Sequence, residues 1–248
     1  MDKHIARAVA DLKNARNVVA LTGAGISIES GIPPFRGKGG LWERFDPMEI
    51  AHIDAFTADP ALVWRVLVKE LKDVIDHAAP NDGHKGLARL ERMGILKTVI
   101  TQNVDGLHQA AGSTDVIEFH GTFAWQRCTA CERRVPTRDV DASVLPPRCS
   151  CGGILRPDAV LFGEMIPPTA LWRSKEAATR CDVMLVVGTS AVVQPAASMP
   201  IIARQSGARV IEINPEPTPL SSAISHYLIR GGAGEVMNRI VAGLDPAG

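Results

Sequence analysis

The sequence predicts an α/β fold, a parallel sheet covered by helices on both faces, and three observations carry that expectation. Short runs such as Val18-Val19-Ala20-Leu21 and Val183 to Val187 are apolar at consecutive rather than alternate positions. That is the pattern of strands buried on both faces. Helical spacing separates them, as in Ile5, Ala8, Val9 and Leu12, and strands alternating with helices form parallel sheets. Each expected strand also runs directly into small, polar or titratable residues.

Taken in order, Ile5 to Ala15 reads as a helix, and Val18 to Leu21 as a buried strand entering the turn Thr22-Gly23-Ala24-Gly25. Gly31, Pro33, Pro34, Gly37, Gly39 and Gly40 crowd into a long loop, and long loops in compact domains are usually functional. Asp59-Pro60 opens a helix to about His77, with Pro in its first turn, and a second covers Gly83 to Met93. Leu96 to Thr101 is the next strand, followed by Gln102-Asn103-Val104-Asp105 and a short helix. Val116 to Phe119 is a third strand, ending at His120-Gly121. Thr122 to Pro157 changes character and reads as an inserted module. Alternation then resumes with a helix near 169–179, strand Val183–Val187, a helix near 196–205, strand Arg209–Ile213 and a last helix from Gly234 to Leu244.

The chain of 248 residues is 46% hydrophobic and 22% charged, which excludes disorder, collagen and coiled coil. Its 27 basic and 27 acidic side chains balance. A protein that neutralises phosphates along a nucleic acid carries a basic excess, so nucleic acid is not expected as a ligand. The N-terminus lacks the apolar stretch of a signal peptide, and Val183 to Val187 is too short to cross a bilayer. The expectation is a cytoplasmic protein without membrane contact.

In doubly wound sheets, ligands bind beyond the carboxyl ends of the strands. Gly23-Ala24-Gly25 would let a backbone turn approach a pyrophosphate, but Ile28 stands where a dinucleotide fingerprint needs its third glycine. A tight turn with no ligand explains the same glycines. Gly188-Thr189-Ser190, with Glu216 after the next strand, suggests a ribose site; a solvated Glu216 beside an Asn214-Pro215 turn fits equally. His120 ends a strand where a general base near neutral pH could act, and Asn103 and Asp105 could orient a water or ribose. The other histidines read as surface or packing residues, with His108 on a helix surface.

Four of the five cysteines cluster: Cys128 and Cys131, then seventeen residues, then Cys149 and Cys151. Two short cysteine turns supply four thiolates to one tetrahedron, the pattern of a closed structural zinc site. Gly152-Gly153 permits the tight turn at the second pair. Cys181, before a buried strand, reads as core.

At this point the motifs resemble the sirtuins, NAD-dependent protein-lysine deacylases. The resemblance rests on Gly23-Ala24-Gly25-Ile26-Ser27-Ile28-Glu29-Ser30-Gly31-Ile32-Pro33 with Phe35-Arg36, and on Thr101 to His108. His120-Gly121, the four cysteines, Phe162-Gly163-Glu164, Gly188-Thr189-Ser190 and Asn214-Pro215-Glu216 follow in family order. It implies a single catalytic domain over 1–248. A Rossmann-like NAD-binding part would be joined by a small domain of a loop and helical insert (34–82) and a four-cysteine zinc module (121–157).

It further implies that an acyl-lysine oxygen attacks the nicotinamide ribose of NAD and nicotinamide leaves. His120 then acts as base on a ribose hydroxyl, with Asn103 and Asp105 beside it. The products would be free lysine, nicotinamide and O-acyl-ADP-ribose. Cofactor contacts would come from Gly23, Ala24, Gly25, Ser27, Glu29, Phe35, Arg36, Trp42, Gln102, Gly188, Thr189, Ser190, Asn214, Pro215, Glu216 and Ala233. Val160, Phe162, Gly163, Glu164 and Leu67 would contact an acyl-lysine protein or peptide, and a monomer is expected.

Three departures stand out. Pro34 replaces an Asp or Thr before Phe-Arg, and Leu161 replaces a Trp before Phe-Gly-Glu. Relatives that remove succinyl or malonyl groups carry Tyr and Arg where this chain has Leu67 and Glu70, so a neutral acyl group is expected. The rivals are a non-catalytic NAD or ADP-ribose sensor and an ADP-ribosyltransferase. A base beside the ribose separates the deacylase from the sensor.

Overall fold

The computed structural model describes residues 2–35 and 39–245. Nine strands form two sheets. They are β1 (Val18–Thr22), β2 (Leu96–Thr101), β3 (Val116–Glu118), β4 (Gly121–Cys128), β5 (Arg134–Pro136), β6 (Leu155–Ala159), β7 (Val183–Val187), β8 (Arg209–Ile213) and β9 (Tyr227–Ile229). The large sheet runs β3-β2-β1-β7-β8-β9 with every pair parallel. Its order reverses between β1 and β7, the position where doubly wound sheets open a crevice.

The helices are α1 (Asp2–Asn14), α2 (Leu41–Arg44), α3 (Pro47–Ile50), α4 (Ile53–Ala58), α5 (Pro60–Val63), α6 (Lys69–His77), α7 (Asp82–Arg92), α8 (Leu107–Ala110), α9 (Pro168–Arg180), α10 (Met199–Gln205) and α11 (Ala233–Leu244). Helices α1, α7 and α11 bury Leu12, Leu90 and Ile240 against Ala20, Val99 and Leu185 on one face of the sheet. Helices α9 and α10 bury Ala178, Met199 and Ala203 against Val19, Leu21 and Met184 on the other. Adjacent residues of one strand thus enter opposite cores, which is why the strands read as unbroken apolar runs.

A third core unites two segments far apart in sequence. Leu41, Ile50, Phe56, Trp64 and Leu67 pack with Phe123, Leu155 and Leu161. The second segment is a three-stranded antiparallel sheet, β5-β4-β6. Between α5 and α6, residues Trp64–Val68 widen into a π turn without interrupting the helical path to His77. There the Trp64 indole N–H donates to the Leu155 carbonyl at 2.7 Å, tying the two segments together.

Asp46, Asp59 and Asn81 cap α3, α5 and α7 with side-chain oxygens. The helix expected from Ala196 opens as a 3₁₀ turn, and α10 proper begins at Met199. Among the described residues no helix is long and apolar enough to cross a membrane.

Candidate functional site

A cleft of about 440 Å³ opens beyond the carboxyl ends of β1, β2, β7 and β8, with the third core forming its far wall. Gly23, Ala24 and Gly25 line it on one side and Gly188, Thr189 and Ser190 beside them. The two turns touch: the Gly25 N–H donates to the Gly188 carbonyl at 2.7 Å. A Cβ on Gly25 would lie 2.6 Å from that oxygen, and one on Gly188, at φ +60°, would lie 2.3 Å from the Ile26 nitrogen. Glycine is therefore required here by contact between backbones, before any ligand is considered.

Gln102 and Asn103 line the cleft from the end of β2. Gln102 Nε2 donates to Thr189 Oγ1 at 2.9 Å, and Asn214 Nδ2 to the Thr189 carbonyl at 3.2 Å, so three strand ends are cross-tied. Asn103 Nδ2 donates to the Gly23 carbonyl and to Ser27 Oγ, and Ser27 donates in turn to Asp105 at 2.7 Å. Ser27 and Asp105 lie behind Asn103 rather than on the cleft wall. Pro215 and Glu216 are exposed and outside the lining. Glu29 and Ala233 sit together elsewhere, where Glu29 accepts from the Gly234 N–H at 3.0 Å and caps α11.

His120 faces the cleft. Its Nδ1 lies 3.0 Å from the Gln102 carbonyl; a carbonyl only accepts, so Nδ1 carries the proton and Nε2 keeps its lone pair. Burial pushes the imidazole pKa below its ordinary value, against the opposing effect of the Gln102 bond. The ring is neutral at pH 7 and able to take a proton.

Phe35, Trp42 and Phe162 form an aromatic wall, with ring centroids 5.4 Å and 6.2 Å apart in succession. Arg36, expected beside Phe35, lies outside the described residues. Leu67, Leu71, Leu161, Ile166, Val193 and Pro34 add apolar lining. No cationic side chain lines the cleft among the described residues. Glu70 stays out of the lining, half-exposed, with its carboxylate 3.2 Å from Arg44. Val160, Phe162, Gly163 and Glu164 border the cleft as one strand-like edge.

One histidine departs from the expectation. His108 is buried rather than on a helix surface, because α8 is one turn long and packs against α7, with the ring against Thr22 at the end of β1. His84 is buried against it, ring centroids 4.9 Å apart. Thr22 Oγ1 donates to Thr101 and so accepts from His108 Nε2 at 2.9 Å; His84 Nε2 lies 3.4 Å from Ser27 Oγ. Burial lowers the pKa of His84 to about 4 and of His108 to about 3. Both rings therefore support Asn103 as neutral groups. Arg156 was equally invisible in sequence; it forks onto Glu164 from β6.

The Sγ atoms of Cys128, Cys131, Cys149 and Cys151 all lie within 4.8 Å of one another. Their contacts of 3.4, 3.5 and 3.8 Å match the sulfur–sulfur edge of about 3.8 Å that a zinc–thiolate tetrahedron with bonds of about 2.3 Å requires. The set fits zinc and leaves no open position. Cys181 is buried in the core, as expected.

Comparison with known proteins agrees with this geometry. The Sir2 family profile matches residues 23–195. The chain is 49% identical to the NAD-dependent protein deacylase 1 of Archaeoglobus fulgidus, over 97% of each chain. It is 53% identical to the NAD-dependent protein deacylase 2 of Pyrobaculum aerophilum, over 94% of this chain and 93% of that one. Among solved structures, a Sir2 homologue bound to NAD superposes with a TM-score of 0.91 at 47% identity, covering 100% of this chain and 95% of the other. A Sir2 complex with a p53 peptide and NAD+ gives 0.86 at 37% identity, covering 94% and 95%. The chain belongs to the Sir2 family.

Proposed function

We propose that this protein is an NAD-dependent protein-lysine deacylase that takes neutral acyl groups and yields O-acyl-ADP-ribose, nicotinamide and free lysine. Its relatives bear the name NAD-dependent protein deacylase, and the observation that carries the reading here is the placement of His120. A neutral imidazole with a bare Nε2 faces a cleft that joins glycine turns to an apolar pocket. NAD, when bound, would supply an electrophilic ribose carbon with nicotinamide as its leaving group, to be displaced by the acyl oxygen of the lysine amide.

The residues of this chain divide the remaining work. The β1 and β7 turns accept the pyrophosphate through backbone N–H groups, and Gln102 and Asn103 hold the ribose and carboxamide. His120 Nε2 takes the proton of a ribose hydroxyl so that it can attack the acyl carbon; the bond from that carbon to the lysine nitrogen then breaks, and one water is consumed in releasing O-acyl-ADP-ribose. The aromatic wall of Phe35, Trp42 and Phe162 keeps water from the ribose carbon until nicotinamide has been displaced. An acyl-lysine peptide adds as a strand along 160–164, where the Val160 carbonyl and the Gly163 N–H have no partner among the described residues.

The neutral-acyl preference follows from the wall of Leu67, Leu71 and Leu161, which offers an anionic chain no cation. Mass spectrometry of reactions with NAD and acetyl-, succinyl- or myristoyl-lysine peptides tests both parts. The expected result is O-acyl-ADP-ribose from the acetyl and myristoyl peptides, none from His120→Ala, and little turnover of succinyl-lysine. NAD binding without loss of any acyl group would favour a sensor. Efficient succinyl turnover would refute the acyl preference alone.

A further inference from the structure

The edge proposed to receive the peptide is not rigid by virtue of secondary structure. Residues 160–164 lie beyond the end of β6 and belong to no regular element. Their shape is imposed by neighbours. The Val160 N–H donates to the His120 carbonyl at 2.9 Å. The Phe162 N–H donates to Ala51 at 2.8 Å, and the Phe162 carbonyl accepts from Ile53 at 2.9 Å. The chain then reverses at Gly163, at φ +84°, where a Cβ would meet His52 Nε2 at 2.6 Å.

Glu164 closes this turn twice. Its backbone N–H donates to the Leu161 carbonyl at 3.1 Å, and its carboxylate accepts from the Leu161 N–H at 2.8 Å. The carboxylate is itself gripped by Arg156, whose two terminal nitrogens each lie 2.6 Å from one oxygen. The same guanidinium donates to the carbonyls of Ala159 at 3.1 Å and Pro157 at 3.3 Å. The Arg156 side chain is only 8% exposed and stacks 5.5 Å from the Phe56 ring, so it has one place to be. A bidentate fork fixes angle as well as distance.

We infer that Arg156 is a positioning residue for the acyl-lysine peptide, acting through Glu164 to hold the 160–164 edge in its binding shape. This rests on the deacylase reading above. Neither side chain needs to touch the reacting atoms. Their effect is to order backbone before the peptide arrives, so the cost of ordering it does not fall on binding. Among the described residues, no hydrogen bond or ion pair joins either side chain to the cofactor turns at Gly23–Gly25 and Gly188–Ser190, so the pair is expected to act on peptide rather than NAD binding.

Steady-state kinetics with an acetyl-lysine peptide tests this on parent, Glu164→Gln, Arg156→Lys and the double variant Arg156→Met/Glu164→Gln. The double variant removes both charges, so it leaves no orphaned ion to unfold the chain. The expected result is a rise of about tenfold or more in peptide KM, with NAD KM within about twofold of the parent. The double variant should raise peptide KM no further than Glu164→Gln alone within about twofold, since both residues act on one contact. A pair that serves stability alone would lower the melting temperature and leave peptide KM unchanged; that outcome, or an equal rise in NAD KM, overturns the inference. If the parent turns over no acyl-lysine peptide, the deacylase reading fails first and takes the inference with it.

Discussion

Lowering the pH from 7.5 to 5 should strip this protein of stability through two imidazoles that never meet solvent. His84 and His108 are buried side by side beneath Asn103, and burial lowers their pKa values to about 4 and about 3. In the unfolded chain each titrates near about 6.5. Between those values the unfolded state binds more protons than the folded one, so stability falls as the pH falls. At pH 5 each unfolded imidazole is almost fully protonated while its folded counterpart is not, a loss of about 2 kcal/mol per histidine and about 4 kcal/mol for both.

That is a large part of a total of roughly 5–15 kcal/mol. With a urea m-value of about 3 kcal/mol/M, the midpoint should drop by about 1.3 M. Asp105 opposes the shift at His84 without cancelling it. His120 and His226, which burial also lowers, add to the parent's loss and cancel when a variant is compared. The variant is His108→Gln, which keeps a donor for Thr22 and removes the titrating ring. Urea unfolding at both pH values should show it losing about 2 kcal/mol less than the parent. Equal losses in parent and variant would refute the assignment of a neutral buried pair.

Gly25→Ala places a Cβ 2.6 Å from the Gly188 oxygen; it should cost about 1–3 kcal/mol by overpacking and weaken NAD binding measured by calorimetry. A variant with unchanged stability would show that the two turns move apart freely. The purified protein should carry one zinc per chain by atomic emission; Cys128→Ser should lose it and Cys181→Ser keep it. Metal retained by the first or lost by the second would refute the ligand set. Trp64→Phe leaves the Leu155 carbonyl buried without its 2.7 Å donor and should cost about 1–3 kcal/mol. Circular dichroism melts that match the parent's would deny the contact any weight.

What the sequence made legible divides along physical lines. β1 and β7 announce themselves because both their faces are buried along their whole length, and β2 and β8 through the buried pairs Val99-Ile100 and Val210-Ile211. β9 has three residues, Tyr227–Ile229, paired only to β8, too few to show a period. Helices α2, α3 and α4 each last four to six residues and hide among prolines and glycines, since the core they cover is completed by residues of the second segment. The cleft residues at strand ends were readable because topology alone brings strand ends together. His108 was not, because its burial depends on where a single turn of helix is tucked. Arg156 was missed for a similar reason: its partner Glu164 is reached only after the chain leaves β6 and turns back. Glu29 was legible as part of a motif, yet its carboxylate caps α11, a contact spanning most of the chain.

The third core has a consequence for how this protein can be rebuilt. Its members come from two segments far apart in sequence, with Trp64 and Leu67 on one and Phe123 and Leu155 on the other. Each segment supplies only part of this core, so neither completes it alone. A chimera that borrows the helical insertion from a relative, hoping to change the acyl pocket, would import half of an interface evolved against a different zinc-bearing partner. Both segments have to be exchanged together, although the stretch 83–120, with β2 and β3, separates them. Grafting by contiguous stretches of sequence would fail where grafting by shared core would succeed.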